Sequence, residues 1–79
     1  MRRAMLLGMT NSNEITTLVT DLRSQTAEYG DPNEEGVDAI AGWRTEAGSA
    51  GDMVLLEMMD RLGDDALEDE WDRQVASAA

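Results

Sequence analysis

The most apolar of the predicted helical segments lies within residues 51–65, which read GDMVLLEMMDRLGDD. Their apolar side chains cover more than one face of a helix, which is more than an amphipathic surface helix requires. Ser49 and Asp52 have the spacing of a capping box, with Asp in place of the usual Glu. The pattern predicts a helix over residues 50–62 that is either the central helix or one with a contact face.

Three further helices are predicted around this one. Apolar residues recur at helical spacing in residues 13–29, and Asp31 followed by Pro32 is typical of the N-cap and first position of a second helix. A last helix is predicted over residues 65–76, where three large apolar side chains are spaced by four. We therefore expect an all-α fold, a small bundle of three or four short helices joined by short turns rich in Gly and Asp.

The length of 79 residues allows a single domain. We expect a flexible apolar and basic N-terminal arm over residues 1–12, a helical domain over residues 13–76 and a frayed tail over residues 77–79. The predicted core consists of Leu6, Leu7, Ile15, Leu18, Val19, Leu22, Tyr29, Val37, Ile40, Trp43, Val54, Leu55, Met58, Met59, Leu62, Leu67, Trp71 and Val75.

So short a chain buries only about 60% of the surface that it exposes when unfolded. We therefore expect part of its apolar surface to be covered by a protein partner or by self-association. Trp anchors many interfaces, and Met adapts to varied partners. The predicted contact residues are Trp43, Trp71, Met53, Met58 and Met59.

Acidic residues dominate the charge, with 17 Asp and Glu against six Arg, no Lys, and a net charge of −11. A basic stripe for nucleic-acid phosphates is missing, so we expect no direct binding to DNA or RNA. Such a composition is typical of salt-adapted proteins, in which salt screens the self-repulsion. Two other hypotheses are a GC-rich genome that favours Arg codons and a charge selected for function.

One face of the last predicted helix is acidic, because Asp65, Glu68, Asp69 and Asp72 are spaced by three or four residues. Such a row is usually a solvated surface. It also resembles the charge of a phosphate backbone, so an alternative hypothesis is an acidic mimic of nucleic acid that inhibits a DNA- or RNA-binding protein.

The sequence offers little for catalysis, since it has no Cys, no His and no Lys to activate a nucleophile. We therefore expect no enzyme activity and no cofactor. No metal site is predicted, although Asp31, Asn33 and Glu35 partly match a calcium-binding loop. That loop lacks its bidentate Glu because the position is Gly42. A weak calcium-responsive module is the second alternative.

No segment has the roughly 20 consecutive apolar residues that span a membrane, so we expect no membrane partner. The sequence thus predicts a non-enzymatic, acidic interaction protein, a small structural accessory subunit or adaptor in a larger assembly. Its predicted location is the cytoplasm, or a virion or assembly if the chain is encoded by a virus or mobile element of a salt-adapted host.

Overall fold

The computed structural model describes the backbone of residues 2–28 and 30–78, and the side chains of residues 13–28 and 30–78. This part of the chain contains four helices and no strand, which confirms the prediction of a small all-α bundle. The helices are α1 (Arg2–Thr26), α2 (Gly36–Ala50), α3 (Met53–Leu62) and α4 (Asp64–Ala78). Helix α4 packs against all three others, and its contact with α2 is the most extensive in the bundle.

Helix α1 begins at Arg2, so its predicted start near Asn13 is wrong. The first residues include Arg, Ala, Met and Leu, which favour helix, and no proline interrupts them. The capping residues that follow therefore lie inside the helix instead of starting it. The division into a flexible arm, a domain and a frayed tail stays a prediction.

Helix α2 begins at Gly36 instead of Pro32, because residues 31–34 form a turn. The carboxylate of Asp31 accepts a hydrogen bond from the Asn33 N–H at 2.9 Å. Side chains from other helices donate hydrogen bonds to two backbone carbonyl groups of this turn. Arg23 Nε donates to the Pro32 oxygen at 3.2 Å, and Trp71 Nε1 donates to the Glu34 oxygen at 2.8 Å. Contacts with distant residues therefore override the local start signal.

Helix α2 continues to Ala50, through the residues where the third helix was predicted to be capped and to begin. Gly51 closes its C-terminus with a φ of 71° that only glycine adopts easily. The Asp52 N–H closes the helix end by donating to Ala47 O at 2.9 Å. The Asp52 carboxylate then accepts a hydrogen bond from Leu55 N–H at 3.1 Å, which makes Asp52 the cap of α3. The predicted helix start at residue 50, with Ser49 as its cap, is therefore wrong.

The core lies where the four helices meet. Its larger side chains are Leu18, Val19, Leu22, Ile40, Trp43, Met59, Leu67 and Trp71, all of which were predicted. Two other predicted core residues are exposed, Val37 at 55% and Val54 at 69%, because each lies in the first turn of a helix and faces solvent there. The predicted core residues Leu6, Leu7 and Tyr29 lie outside the described side chains.

Gly36 allows the start of α2 to lie directly on the backbone of α4. A Cβ atom at this position would overlap the Glu68 carbonyl oxygen and lie 3.1 Å from the carbonyl carbon. The Gly36 N–H, which lacks a partner within its own helix, donates to Asp72 Oδ1 at 2.7 Å. A residue of α4 therefore caps α2 from across the bundle.

We predict that Gly36→Ala lowers the free energy of unfolding by about 1 to 3 kcal/mol, since the added methyl group forces α2 away from α4. Gly42→Ala is the matched control in the same helix, where a Cβ meets no atom within 4 Å. It should leave stability unchanged or raise it by up to about 1 kcal/mol. Urea unfolding of both variants checks this, and equal effects would contradict the close-packing account.

Candidate interaction site

A groove runs between α1 and α3, which pack mainly on other helices and little on each other. One section has a volume of about 270 Å³ and is lined by Leu18, Asp21, Leu22, Gln25, Trp43, Asp52, Val54, Leu55 and Met58. An adjoining section of about 320 Å³ is lined by Asn13, Glu14, Thr17, Leu18, Asp21 and Met58. Because the two sections share three residues, they form one surface, which we call the α1–α3 groove.

The floor of the α1–α3 groove is apolar. Leu18 and Leu22 come from α1, and Leu55 and Met58 come from α3. Trp43 of α2 also lines the groove, although its side chain is buried. Val54, at the start of α3, also lines the groove and is the most exposed of the large apolar residues that the structure describes. The groove thus offers an apolar strip that is exposed at Val54 and half-buried at Leu55 and Met58, whereas Leu18 and Leu22 are buried.

Acidic residues supply all the charge on the rim of the groove. Asp21 lies on α1 and Asp52 at the start of α3, and no basic side chain is among the lining residues. The third rim acid, Glu14, is already paired, since both of its oxygens accept hydrogen bonds from Arg61 at 3.0 Å. This guanidinium lowers the pKa of Glu14 below its ordinary value. Asp21 forms no ion pair with the described residues, so its charge is available to an incoming group.

The five predicted contact residues divide into two groups. Met53 is 64% exposed beside the start of the groove, and Met58 is half-buried in the groove wall. Met59, Trp43 and Trp71 are core residues, so their assignment as surface anchors is corrected. Length alone indicated that some apolar surface stays uncovered, but not which residues carry it.

Both indole N–H groups have partners inside the bundle, which explains why these rings can be buried. Trp43 Nε1 donates to the Thr26 hydroxyl at 2.7 Å, and Trp71 Nε1 donates to Glu34 O. Thr26 is 17 residues from Trp43 in the chain, and Glu34 is 37 residues from Trp71, so a local sequence pattern does not indicate either hydrogen bond. Sequence reasoning also missed Leu18 and Asp21 as groove residues, since only their spacing along α1 was visible.

The predicted acidic face does lie along α4, but its four members differ. Asp65 and Asp69 are exposed, and Glu68 is half-buried. Asp72 uses one carboxylate oxygen to cap α2, so it has a structural role. Partial burial and the neighbouring carboxylates raise the pKa of Glu68 above its ordinary value. The face is therefore partly a set of structural contacts, and its role as a mimic stays a prediction.

A wider depression between α1 and α4, of about 480 Å³, contains its own charge compensation. Arg73 donates to both oxygens of Glu70, at 2.9 and 2.5 Å. This contact, together with the side chain of Gln74 at 2.8 Å, lowers the pKa of Glu70. The charges of Glu70 and Arg73 are therefore paired with each other, while Asp69, which also lines the depression, is exposed.

The loop that partly matches a calcium site is shaped by the protein itself. One Asp31 oxygen accepts the Asn33 N–H, and the Pro32 carbonyl accepts Arg23. Among the described residues, no group of three or more acidic side chains is arranged to hold a metal ion. Asp31, Asn33 and Glu35 are therefore a turn in this structure.

Comparison with protein-family models, with curated proteins and with solved structures finds no match for this chain. In the described part of the chain, no helix combines the length and the apolar character needed to cross a membrane.

We predict that Asp72→Ala lowers the free energy of unfolding by about 1 kcal/mol, the usual loss when a helix cap is removed. Asp69→Ala is the matched control, since it removes the same charge from an exposed position on the same helix. It should change stability by less than about 0.5 kcal/mol. Thermal unfolding distinguishes them, and equal losses would show that Asp72 has no capping role.

Glu68→Gln should raise the Tm at pH 7 and low salt, because the raised pKa of Glu68 means that its ionised form is disfavoured in the folded chain. The penalty is present above the raised pKa and disappears as the pH falls. The gain should therefore vanish below about pH 4, where Glu68 itself is neutral. Glu46→Gln, an exposed change on α2, is the control. A gain that persists at pH 3 would contradict this assignment.

Proposed function

We propose that the chain is a non-enzymatic interaction protein, a small accessory subunit or adaptor that assembles through the α1–α3 groove. The observation that supports this proposal best is the apolar strip of the groove, which is exposed at Val54 and half-buried at Leu55 and Met58. A small bundle gains stability when such a strip is covered by a ligand that binds only the folded state. The groove replaces the two Trp side chains as the proposed contact surface.

The chemistry of the groove specifies the kind of segment that fits it. An apolar floor favours the apolar face of a helix, which inserts side chains at positions spaced by three and four residues. The carboxylates of Asp21 and Asp52 on the rim favour basic residues beside that face. With a net charge of −11 on the chain, a basic segment is also attracted over a longer range. We therefore propose an amphipathic basic helix as the occupant.

The alternatives from the sequence have less support. The acidic mimic would use the exposed carboxylates of Asp65 and Asp69, but the α4 surface includes a capping residue, Asp72, whose oxygen faces α2. The calcium-responsive module would use a loop in which one Asp31 carboxylate oxygen already accepts a hydrogen bond and no group of acidic side chains among the described residues is arranged to hold a metal ion. A cytoplasmic or virion location and a source in a salt-adapted host remain part of the proposal and are not required by the groove.

The test is binding of a synthetic peptide helix with leucines on one face and lysines beside them, measured by calorimetry. We predict that Val54→Glu weakens binding by about tenfold or more, equivalent to about 1.4 kcal/mol, since it places a charge on the apolar strip. Val37→Glu is the matched control: Val37 is likewise exposed and is the second residue of its helix, but it lies outside the groove.

A second peptide, with glutamine in place of each lysine, isolates the contribution of the acidic rim. It should bind the unaltered protein more weakly than the basic peptide, and raising the salt concentration should reduce the difference. Equal weakening by Val54→Glu and Val37→Glu, or no binding of the basic peptide at all, would refute the proposed site.

A further inference from the structure

We propose that the groove is occupied by residues 2–9 of a second copy of this chain, so that two chains form a reciprocal dimer. This inference rests on the proposed function, because it names a particular segment as the amphipathic basic occupant. Each chain would contribute one segment and one groove, and a two-fold axis would relate the two contacts.

The chain contains one segment with the required composition. Residues 2–9 read RRAMLLGM, with two adjacent Arg followed by Met and Leu, and no acidic residue precedes Glu14. Each of the other four Arg has an acidic residue within three positions, so this is the only clearly basic stretch. The segment is helical in backbone, as the first part of α1. Its composition therefore combines the charge and the apolar character that the groove favours.

The rim supplies the complementary charge. Asp21 lies on the groove and forms no ion pair within the described part of the chain. Asp52 adds a second carboxylate at the opposite wall. An Arg pair from another chain would neutralise these two acids, which the groove's own lining residues leave uncompensated.

The backbone geometry permits the exchange to be mutual. The segment is centred near residue 5 and the groove near Leu18, and both lie on the same continuous helix. Thirteen residues of α-helix separate them, which corresponds to about 20 Å. If two α1 helices lie antiparallel about an axis near residue 12, each segment meets the groove of the other chain. Both contacts then form together, which doubles the buried surface.

Two chains that each carry a net charge of −11 repel each other. The salt dependence of dimerisation should therefore differ from the salt dependence of binding to a basic peptide. Raising salt from about 0.15 M to about 1 M shortens the screening length from about 8 Å to about 3 Å and suppresses the long-range repulsion. Dimerisation should therefore persist in high salt, whereas capture of a basic peptide should weaken.

The primary experiment is sedimentation equilibrium of the full chain and of a chain that starts at Met9. We expect the full chain to be a concentration-dependent dimer and the shorter chain to be a monomer at both salt concentrations. A full chain that is monomeric at hundreds of micromolar, or a shorter chain that dimerises equally well, would overturn the proposal.

A charge exchange tests the pairing itself. The double variant Arg2→Glu/Arg3→Glu and the variant Asp21→Arg should each be monomeric, because like charges then meet in both contacts. An equimolar mixture should form a heterodimer, since each segment then faces a groove of opposite charge. Glu46→Arg, which makes the same charge change outside the groove, should dimerise as the unaltered chain does. A mixture that stays monomeric would overturn the reciprocal arrangement.

Peptide binding to the chain that starts at Met9 distinguishes this inference from the proposed function. Binding of both the synthetic leucine–lysine helix and a peptide of residues 1–12 supports both. Binding of the synthetic helix alone overturns the self-association and leaves the groove as a site for another protein. Binding of neither refutes the groove as a site altogether.

Discussion

The contact between the start of α2 and the backbone of α4 is the interaction on which the rest of the structure depends. Gly36 lies against the carbonyl group of Glu68, and its N–H is capped by Asp72. Trp71 lies beside this contact with no exposed surface and holds Glu34 through its indole N–H. Close backbone packing, a helix cap and a buried ring therefore occur together at this contact. They stabilise the α2–α4 pair and the turn that precedes α2.

The groove is a consequence of this arrangement. With α2 held tightly on α4, the remaining two helices cover different sides of the pair: α1 packs mainly on α4, and α3 packs on both α2 and α4. Helix α3 is only ten residues long and buries a single side chain, Met59. Helix α3 makes few contacts with α1, and Met58 stays half-buried and Val54 exposed. The bundle thus buries its core where the helices pack on α4 and leaves apolar surface exposed at the α1–α3 groove.

Local signals in the sequence were sufficient for part of this fold. Apolar periodicity identified the four helices and placed both Trp side chains in the core list, and Gly63 ends α3 where the sequence indicated. The start of α2 was misplaced because Arg23, Trp71 and Asp72 stabilise a turn where Pro32 alone favours a helix. Trp71 and Asp72 lie 37 and 36 residues away from the groups that they bind, so a local pattern does not contain that information.

The candidate site was predicted less well than the fold. Met53 is exposed and Met58 half-buried, so their role as contact residues stays a prediction, whereas Val54 was expected in the core and is exposed. Composition indicates that a short chain leaves some apolar surface uncovered. Which residues are left depends on how little α1 and α3 pack on each other, since α1 packs mainly on α4 and α3 packs on both α2 and α4.

Native-state hydrogen exchange of individual amides tests the central claim most directly, because it ranks the stability of each helix within the intact protein. The account predicts that the Gly36 amide and the amides of α4 around Trp71 exchange only through global unfolding. The amides of α3 should exchange faster, through local opening on the groove side. Equal protection of all four helices, or greater protection in α3 than at Gly36, would contradict the claim that the α2–α4 contact holds the structure together.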